Sequence, residues 1–330
     1  MRHSTNLPTA KIKYYCLFAG ILSILLAITS LFVGKYPLSV KMLLAGDPMQ
    51  WRVFLTLRCS RTLVGLIGGF TLGVTGFVYQ TVFRNPLASP DIIGVSSGAS
   101  AGAAVGILFL SGTAAITFSA FSGALLAVIL ALGLSSLDRS GKHQTIVLAG
   151  IAVHSLAQTV LMALKLTADP DQELAAIEYW IMGSLNGISL HSIGGSVILC
   201  VISMSVLFLL HRHVVLLSSE EGEARMLGVN IVRLRLIILL VATLALSSVI
   251  SLTGLISFVG LLAPHSARIL SKNTRSSTML LSGFFGSILL CGADILARSV
   301  ASTELPVSIF TSLIGAPVLV SLIIRGRRKS

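Results

Sequence analysis

From Ile92 to Leu137 the chain carries no Asp, Glu, Lys or Arg. About 20 apolar residues suffice to cross about 30 Å of hydrocarbon, so this run has room for two crossings. Thr62 to Phe83, Tyr179 to Leu210 and Leu236 to Ala267 are also free of charge. With a mean hydropathy of +0.93, the 330 residues do not read as a soluble globular domain or as a disordered chain. They read as an all-α polytopic membrane protein of about ten transmembrane helices. The predicted spans lie near 14–34, 62–83, 92–110, 114–137, 144–166, 190–210, 233–252, 257–270, 276–297 and 307–324. A membrane barrel would instead show strands of about ten residues alternating apolar and polar.

The first apolar stretch, Leu17 to Val33, follows basic residues as a signal peptide would. It is long for that role, lacks a convincing cleavage site and is followed by more spans, so it reads as the first crossing. The net charge of +12 could suggest nucleic acid. In a membrane chain, loops rich in Lys and Arg stay in the cytoplasm, and that reading is preferred here. Lys11, Lys13, Arg139, Lys142, Arg233, Arg235, Lys272, Arg275, Arg325, Arg327, Arg328 and Lys329 then face the cytoplasm. Both termini are expected there, in the cell (inner) membrane. Cys16, Cys59, Cys200 and Cys291 are scattered and read as small packing residues, with no metal site or cofactor expected.

Short loops suggest a single transmembrane permease domain over residues 1–330. Two stretches break the helical pattern with Gly and Pro, Arg84 to Asp91 and Gly254 to His265. Backbone groups freed at such breaks must face protein or a water-filled cavity. Breaks in corresponding halves suggest an inverted repeat of spans 2–5 and 7–10. Span two is dense in glycine (Gly65, Gly68, Gly69, Gly73, Gly76), which suits close helix packing.

No catalytic constellation is visible, and the chain has no phosphate-binding G-x-x-x-x-G-K-[ST] loop. It is therefore not expected to be an enzyme or to hydrolyse ATP. Asp294 lies four residues before Arg298, the spacing of a local ion pair. His154 falls mid-span and reads as satisfied by a neighbouring helix. Neither makes a proton relay, so energy is expected from a partner chain. Residues 218–229, SSEEGEARMLGV, form a charged island between spans. Ser218 and Glu221 have capping-box spacing, and Gly228 suits a C-cap. A helix of about two turns is unstable alone, so a docked partner is expected to hold it. Arg58, Arg61 and Arg298 map to the opposite side, against the positive-inside trend. They read either as interfacial anchors or as a basic surface for an acidic extracytoplasmic partner. Trp51 and Trp180 read as outer-interface anchors.

These segments together resemble the FecCD-type permeases, the membrane subunits of importers for ferric siderophores, haem and cobalamin. Arg58-Cys59-Ser60-Arg61 resembles the family's R-x-P-R, with Ser60 in place of proline. Gly76 to Gln80 followed by Arg84 to Gly94 resembles its most specific signature. Trp180-Ile181-Met182-Gly183-Ser184 is similar to its W-x-x-G-S, and Glu223 to Val229 to its coupling segment. Gly254 to Leu261 with Pro264 to Arg268 resembles G-x-I-x-F-x-G-L-x-x-P-H-x-x-R. Glu304-Leu305-Pro306 and Gly315-Ala316-Pro317 complete the order.

The resemblance implies ten helices per subunit and a second permease subunit, either a homodimer or a paralogue heterodimer. It implies cytoplasmic ABC ATPase subunits and an extracytoplasmic substrate-binding protein. ATPase coupling would fall on Glu220, Glu221, Ala224, Arg225, Leu227 and Gly228, within a cytoplasmic coupling helix at 218–229. Binding-protein docking would fall on Arg58, Arg61 and Arg298, and the cytoplasmic mouth of the pathway on Asn85 and Leu87. The favoured cargo is an iron chelate, a ferric siderophore. Haem and cobalamin are the alternatives within the class. An ion-driven secondary transporter and a receptor that binds without transport are the readings outside it.

Overall fold

A computed structural model describes residues 9–137, 143–188, 190–218, 230–300 and 303–327. Every described element is helical. The chain opens with α1 (Thr9–Phe32), then two short helices, α2 (Val40–Leu44) and α3 (Pro48–Val53). A π-helical turn, Phe54–Cys59, joins α3 to α4 (Ser60–Val82). A 3₁₀ turn (Pro90–Ile93) precedes α5 (Val95–Phe109), α6 (Thr113–Ser136), α7 (His143–Thr167) and α8 (Glu173–Met182). Then follow α9 (Leu190–Leu209), α10 (His211–Leu216), α11 (Ile231–Thr253), α12 (Val259–Ser271), α13 (Ser276–Ser299) and α14 (Val307–Arg327).

The predicted spans fall largely on helices, with residues such as Gly94, Ser257 and Phe258 outside them. Among the described residues, six helical stretches are long and apolar enough to cross a membrane, and Val95–Phe109, Ile193–Leu209 and Val307–Ser321 are shorter apolar helices. The second span begins earlier than expected. Asp47 caps α3 by accepting hydrogen bonds from the Met49 and Gln50 amides at 2.9 and 3.0 Å, and Pro48 takes the first helical turn. The helical run continues through the π turn to Val82, 35 residues in all. Arg58 and Arg61 thus sit inside a helical run, where a reading by charge puts an interface.

The chain forms two compact units. The first comprises Met1–Val74, Met182–Gly194 and Ile256–Ser330. In it α1 runs parallel to α13. Cys16 contacts the Ser277 carbonyl at 3.6 Å and Ser23 donates to the Phe284 carbonyl at 3.3 Å, the same sequence offset each time. Ala19, Ala267 and Leu281 form the core between α1, α12 and α13. The first part of α4 crosses α13 backbone to backbone: a Cβ on Gly69 would stand 2.5 Å from the Gly286 oxygen, and one on Gly73 2.0 Å from the Ser282 oxygen. Small residues are required at such an approach. Residues 254–257 are non-helical, and Phe258 begins α12 at φ 65°, a conformation a bulky residue rarely adopts. Its ring lies against Gly315, where a Cβ would be 2.5 Å from Cγ.

The second unit comprises Thr75–Ile181 and Gly195–Leu255. Here α5 and α6 approach as closely. A Cβ on Gly98 would meet the Gly123 oxygen at 2.5 Å, and one on Gly102 the Ser119 oxygen at 2.2 Å. The Tyr79 hydroxyl lies 2.8 Å from that of Thr243 in α11, both fully buried. His154 in α7 departs from expectation, because its Nδ1 is buried without a protein hydrogen-bond partner.

Candidate functional site

The predicted arginines converge in the first unit, at the end where α1 stops. Arg58 projects from the π turn, a feature common at functional positions. Its guanidinium donates to the Val33 carbonyl and, at 3.0 Å, to that of Tyr36. Arg61 lies on the first turn of α4. Its Nε donates to Asp294 at 2.9 Å, its Nη2 pairs with the same carboxylate at 2.8 Å, and its Nη1 pairs with Glu304 at 2.7 Å. Arg298 at the end of α13 pairs with Asp294 at 2.8 Å across one turn, as the spacing predicts. It also donates to the Ser30 hydroxyl at 2.6 Å and to the Ser30 and Val33 carbonyls at 3.2 and 3.0 Å.

Arg58, Arg61 and Arg298 retain only 6%, 7% and 4% of their accessibility. They form a floor rather than an open basic surface. The Val33 carbonyl receives both Arg58 and Arg298, so the end of α1 is tied to the π turn before α4 and to α13 at one atom. Asp294 is held between two guanidinium groups. Removing one partner of such a buried set costs about 3–5 kcal/mol, because the others stay buried without compensation.

Above this floor lies a cavity of about 230 Å³, lined by Lys35, Tyr36, Arg58, Arg61, Arg298 and Glu304 and walled by Leu185 to Ile188. Four cations face Glu304 at the lining and Asp294 behind it, so the cavity favours an anion. In sequence the wall directly follows the Trp180 to Ser184 motif. Gly183 turns the chain at φ 71°, its carbonyl accepts from the Val307 amide at 3.1 Å, and the Ser184 hydroxyl accepts from the Asn186 amide at 3.0 Å. Ser60, where the resembling family carries proline, donates to the Thr56 and Ile188 carbonyls at 2.6 and 3.0 Å. It thereby ties the wall to α4, and the helix continues through it. Sequence alone marked the arginines and the motif, but gave no signal that Lys35, Tyr36 and the wall would enclose them. Trp51 is partly exposed and its indole donates to the Leu43 carbonyl at 2.9 Å.

Asn85 and Leu87 belong to the second unit and are not part of this cavity. Both are exposed in the turn after α4. The Asn85 side chain accepts from the Leu87 amide at 2.9 Å and its own amide donates to the Gln80 carbonyl at 3.1 Å. Arg84, at φ 49°, donates from Nε to the Leu217 carbonyl at 3.2 Å. The turn is thus fastened to the end of α10, just before the charged island in sequence. Glu220, Glu221, Ala224, Arg225, Leu227 and Gly228 lie outside the described residues. Their flanks are described: Ser218 donates to the Val215 carbonyl at 2.6 Å, and Asn230 caps α11 by accepting from the Arg233 amide at 3.1 Å.

A family model described as the FecCD transport family matches residues 21–325. The cobalamin import system permease protein BtuC of Halobacterium salinarum is 34% identical over 269 residues, covering 81% of this chain and 72% of that protein. The hemin transport system permease protein HmuU of Yersinia pestis is 32% identical over 327 residues, covering 94% and 96%. A solved structure, an inward-facing conformation of a metal-chelate-type ABC transporter, superposes with a TM-score of 0.83 at 30% identity. It covers 95% of this chain and 99% of that one.

Proposed function

This chain belongs to the FecCD transport family of ABC importer permeases, and on that premise we propose that it carries an iron chelate, a ferric siderophore, into the cytoplasm. The cargo class is supported by the relatives, whose names give cobalamin and hemin, and by the metal-chelate type of the solved structure. A metal held in an organic cage would pass intact, and the permease would need no metal ligands of its own.

The observation that best supports an importer is the cationic cavity. Its guanidinium groups are held by carbonyl and carboxylate partners, so a carboxylate arriving from outside meets positive charge already in place. The proposed occupant is an acidic side chain of a substrate-binding protein, with Arg58, Arg61 and Arg298 setting register and attraction. Energy would enter at the other site. Cytoplasmic ABC ATPase subunits would dock on the 218–229 island through Glu220, Glu221, Ala224, Arg225, Leu227 and Gly228. Closure of the ATPase pair would move the island. The Arg84–Leu217 hydrogen bond gives that motion a route to the Asn85–Leu87 turn, proposed as the cytoplasmic mouth. A second permease subunit, a copy or a paralogue, would complete the pathway, with both termini in the cytoplasm.

The docking role is tested by Arg58→Gln in the assembled permease–ATPase complex. Binding-protein affinity should fall about tenfold or more while ATPase assembly persists, since a charge-assisted hydrogen bond contributes about 1.5–3 kcal/mol. Unchanged affinity would remove the cavity from the docking face. Haem and cobalamin are tested as alternative cargo by uptake into proteoliposomes that hold the assembled complex.

A further inference from the structure

Charge in the first unit is divided between its two ends. Its acidic residues are Asp47, Asp294 and Glu304. Asp294 and Glu304 pair with the arginines where α1 stops, and Asp47 caps the short helix leading into Arg58. Among the described residues of this unit, the end where α1 begins therefore has no carboxylate side chain. It does have cations. Cys16 meets the first turn of α13 at Ser277, so Lys11 and Lys13, one to two turns earlier on α1, lie at the end where the turn carrying Lys272 and Arg275 enters α13. Lys11, Lys13, Lys272 and Arg275 are all exposed. Lys272 ends α12 in the left-handed conformation at φ 54°, and Ser271 and Thr278 fasten the turn around it to the Asn273 carbonyl at 3.1 and 3.2 Å. The patch is thus carried on three packed helix ends.

Its surroundings indicate what covers it. Only 17% of the most apolar window of α1 is buried, and Leu17, Phe18, Ile21, Ile24, Leu25 and Ile28 stand exposed along it. Such a face belongs in acyl chains. Tyr14 and Tyr15, exposed between those residues and Lys13, suit the headgroup level. Apolar side chains, tyrosines and cations follow one another along a single helix in the order of a leaflet from its interior outward.

We propose that this end of the first unit binds anionic phospholipid headgroups through Lys11, Lys13, Lys272 and Arg275. Juxtamembrane Lys and Arg each add about 1 kcal/mol of attraction to an anionic leaflet. The site is independent of the cargo and of the docking cavity.

The test uses the full chain in phosphatidylcholine vesicles doped with spin-labelled phosphatidylglycerol or spin-labelled phosphatidylcholine. The motionally restricted fraction should favour phosphatidylglycerol several-fold, and high salt should reduce that preference. Replacing Lys11, Lys13, Lys272 and Arg275 together by Gln should abolish that preference. The control Lys41→Gln with Arg52→Gln, at the other end of the unit, should leave it unchanged. Replacing Lys11, Lys13 and Lys272 by Arg should preserve it, which keeps the test readable if the Gln variant inserts poorly. Equal restriction of both lipids by the unaltered chain overturns the proposal. So does complete competition by inorganic phosphate, which would mark a site for free anions. A Gln variant that keeps its lipid preference but loses its ATPase subunits would make the patch a protein interface and also overturn it.

Discussion

Arg61 and Asp294, far apart in sequence, meet twice, through Nε at 2.9 Å and Nη2 at 2.8 Å. The pair joins α4 to α13, and Arg298 reaches the same carboxylate from one turn further along. Asp294→Asn should therefore destabilise the protein by about 3–5 kcal/mol, as two guanidinium groups lose their buried counter-charge. Glu304→Gln should cost about 1 kcal/mol or less, because Glu304 is the more exposed partner of Arg61. Thermal unfolding of the two variants in detergent checks the order. Equal losses would mean that the network is not centred on Asp294.

Gly286 and Gly292 lie on the same helix in opposite surroundings. A Cβ on Gly286 would stand 2.0 Å from the Gly69 oxygen, whereas one on Gly292 meets nothing within 4 Å. Gly286→Ala should destabilise by about 1–3 kcal/mol, since the obstructing atoms are backbone and cannot turn aside. Gly292→Ala should be neutral or stabilise by up to about 1 kcal/mol, because alanine favours helix. Comparing the two melting temperatures separates close packing from helix propensity.

Ser60→Ala removes a hydroxyl that donates to both Thr56 and Ile188. The expected cost is about 1 kcal/mol of stability. A looser cavity wall should accompany it, read as a modest fall in binding-protein affinity with Arg58 intact. If affinity is unchanged while stability falls, the wall does not contribute to docking.

Arg84→Gly keeps the positive φ and removes the donor to Leu217. If that bond carries motion from the ATPase to the mouth, uptake per ATP hydrolysed should drop several-fold while hydrolysis continues. An unaltered ratio would route coupling elsewhere.

Much of this architecture is legible in the chain because hydrocarbon admits few solutions: uncharged runs such as Thr62 to Phe83 must be helices. The Asp294–Arg298 pair is legible for the same kind of reason, since helical spacing places the two side chains together. The burial of Arg58 and Arg61 is not. Their partners are the Val33 and Tyr36 carbonyls and the distant Asp294 and Glu304, and nothing local to Arg58 points to them. The early start of the second helical run is hidden too, because Arg58 and Arg61 look like an interface until their inward partners are known. The Trp180 to Ser184 motif could be recognised, but that the residues after it, Leu185 to Ile188, form a wall depends on tertiary contacts of Gly183 with Val307 and of Ile188 with Ser60.

The account centres on ATP-driven import of an intact ferric siderophore. Proteoliposomes containing this chain, its second permease subunit and its ATPase subunits, supplied with the binding protein outside, measure that directly. Radiolabelled iron and radiolabelled chelator should accumulate together inside, only with enclosed ATP, and should stop when Glu221 and Gly228 are both replaced. Accumulation that follows an ion gradient without ATP, or an absence of siderophore uptake where haem or cobalamin enters, would contradict it.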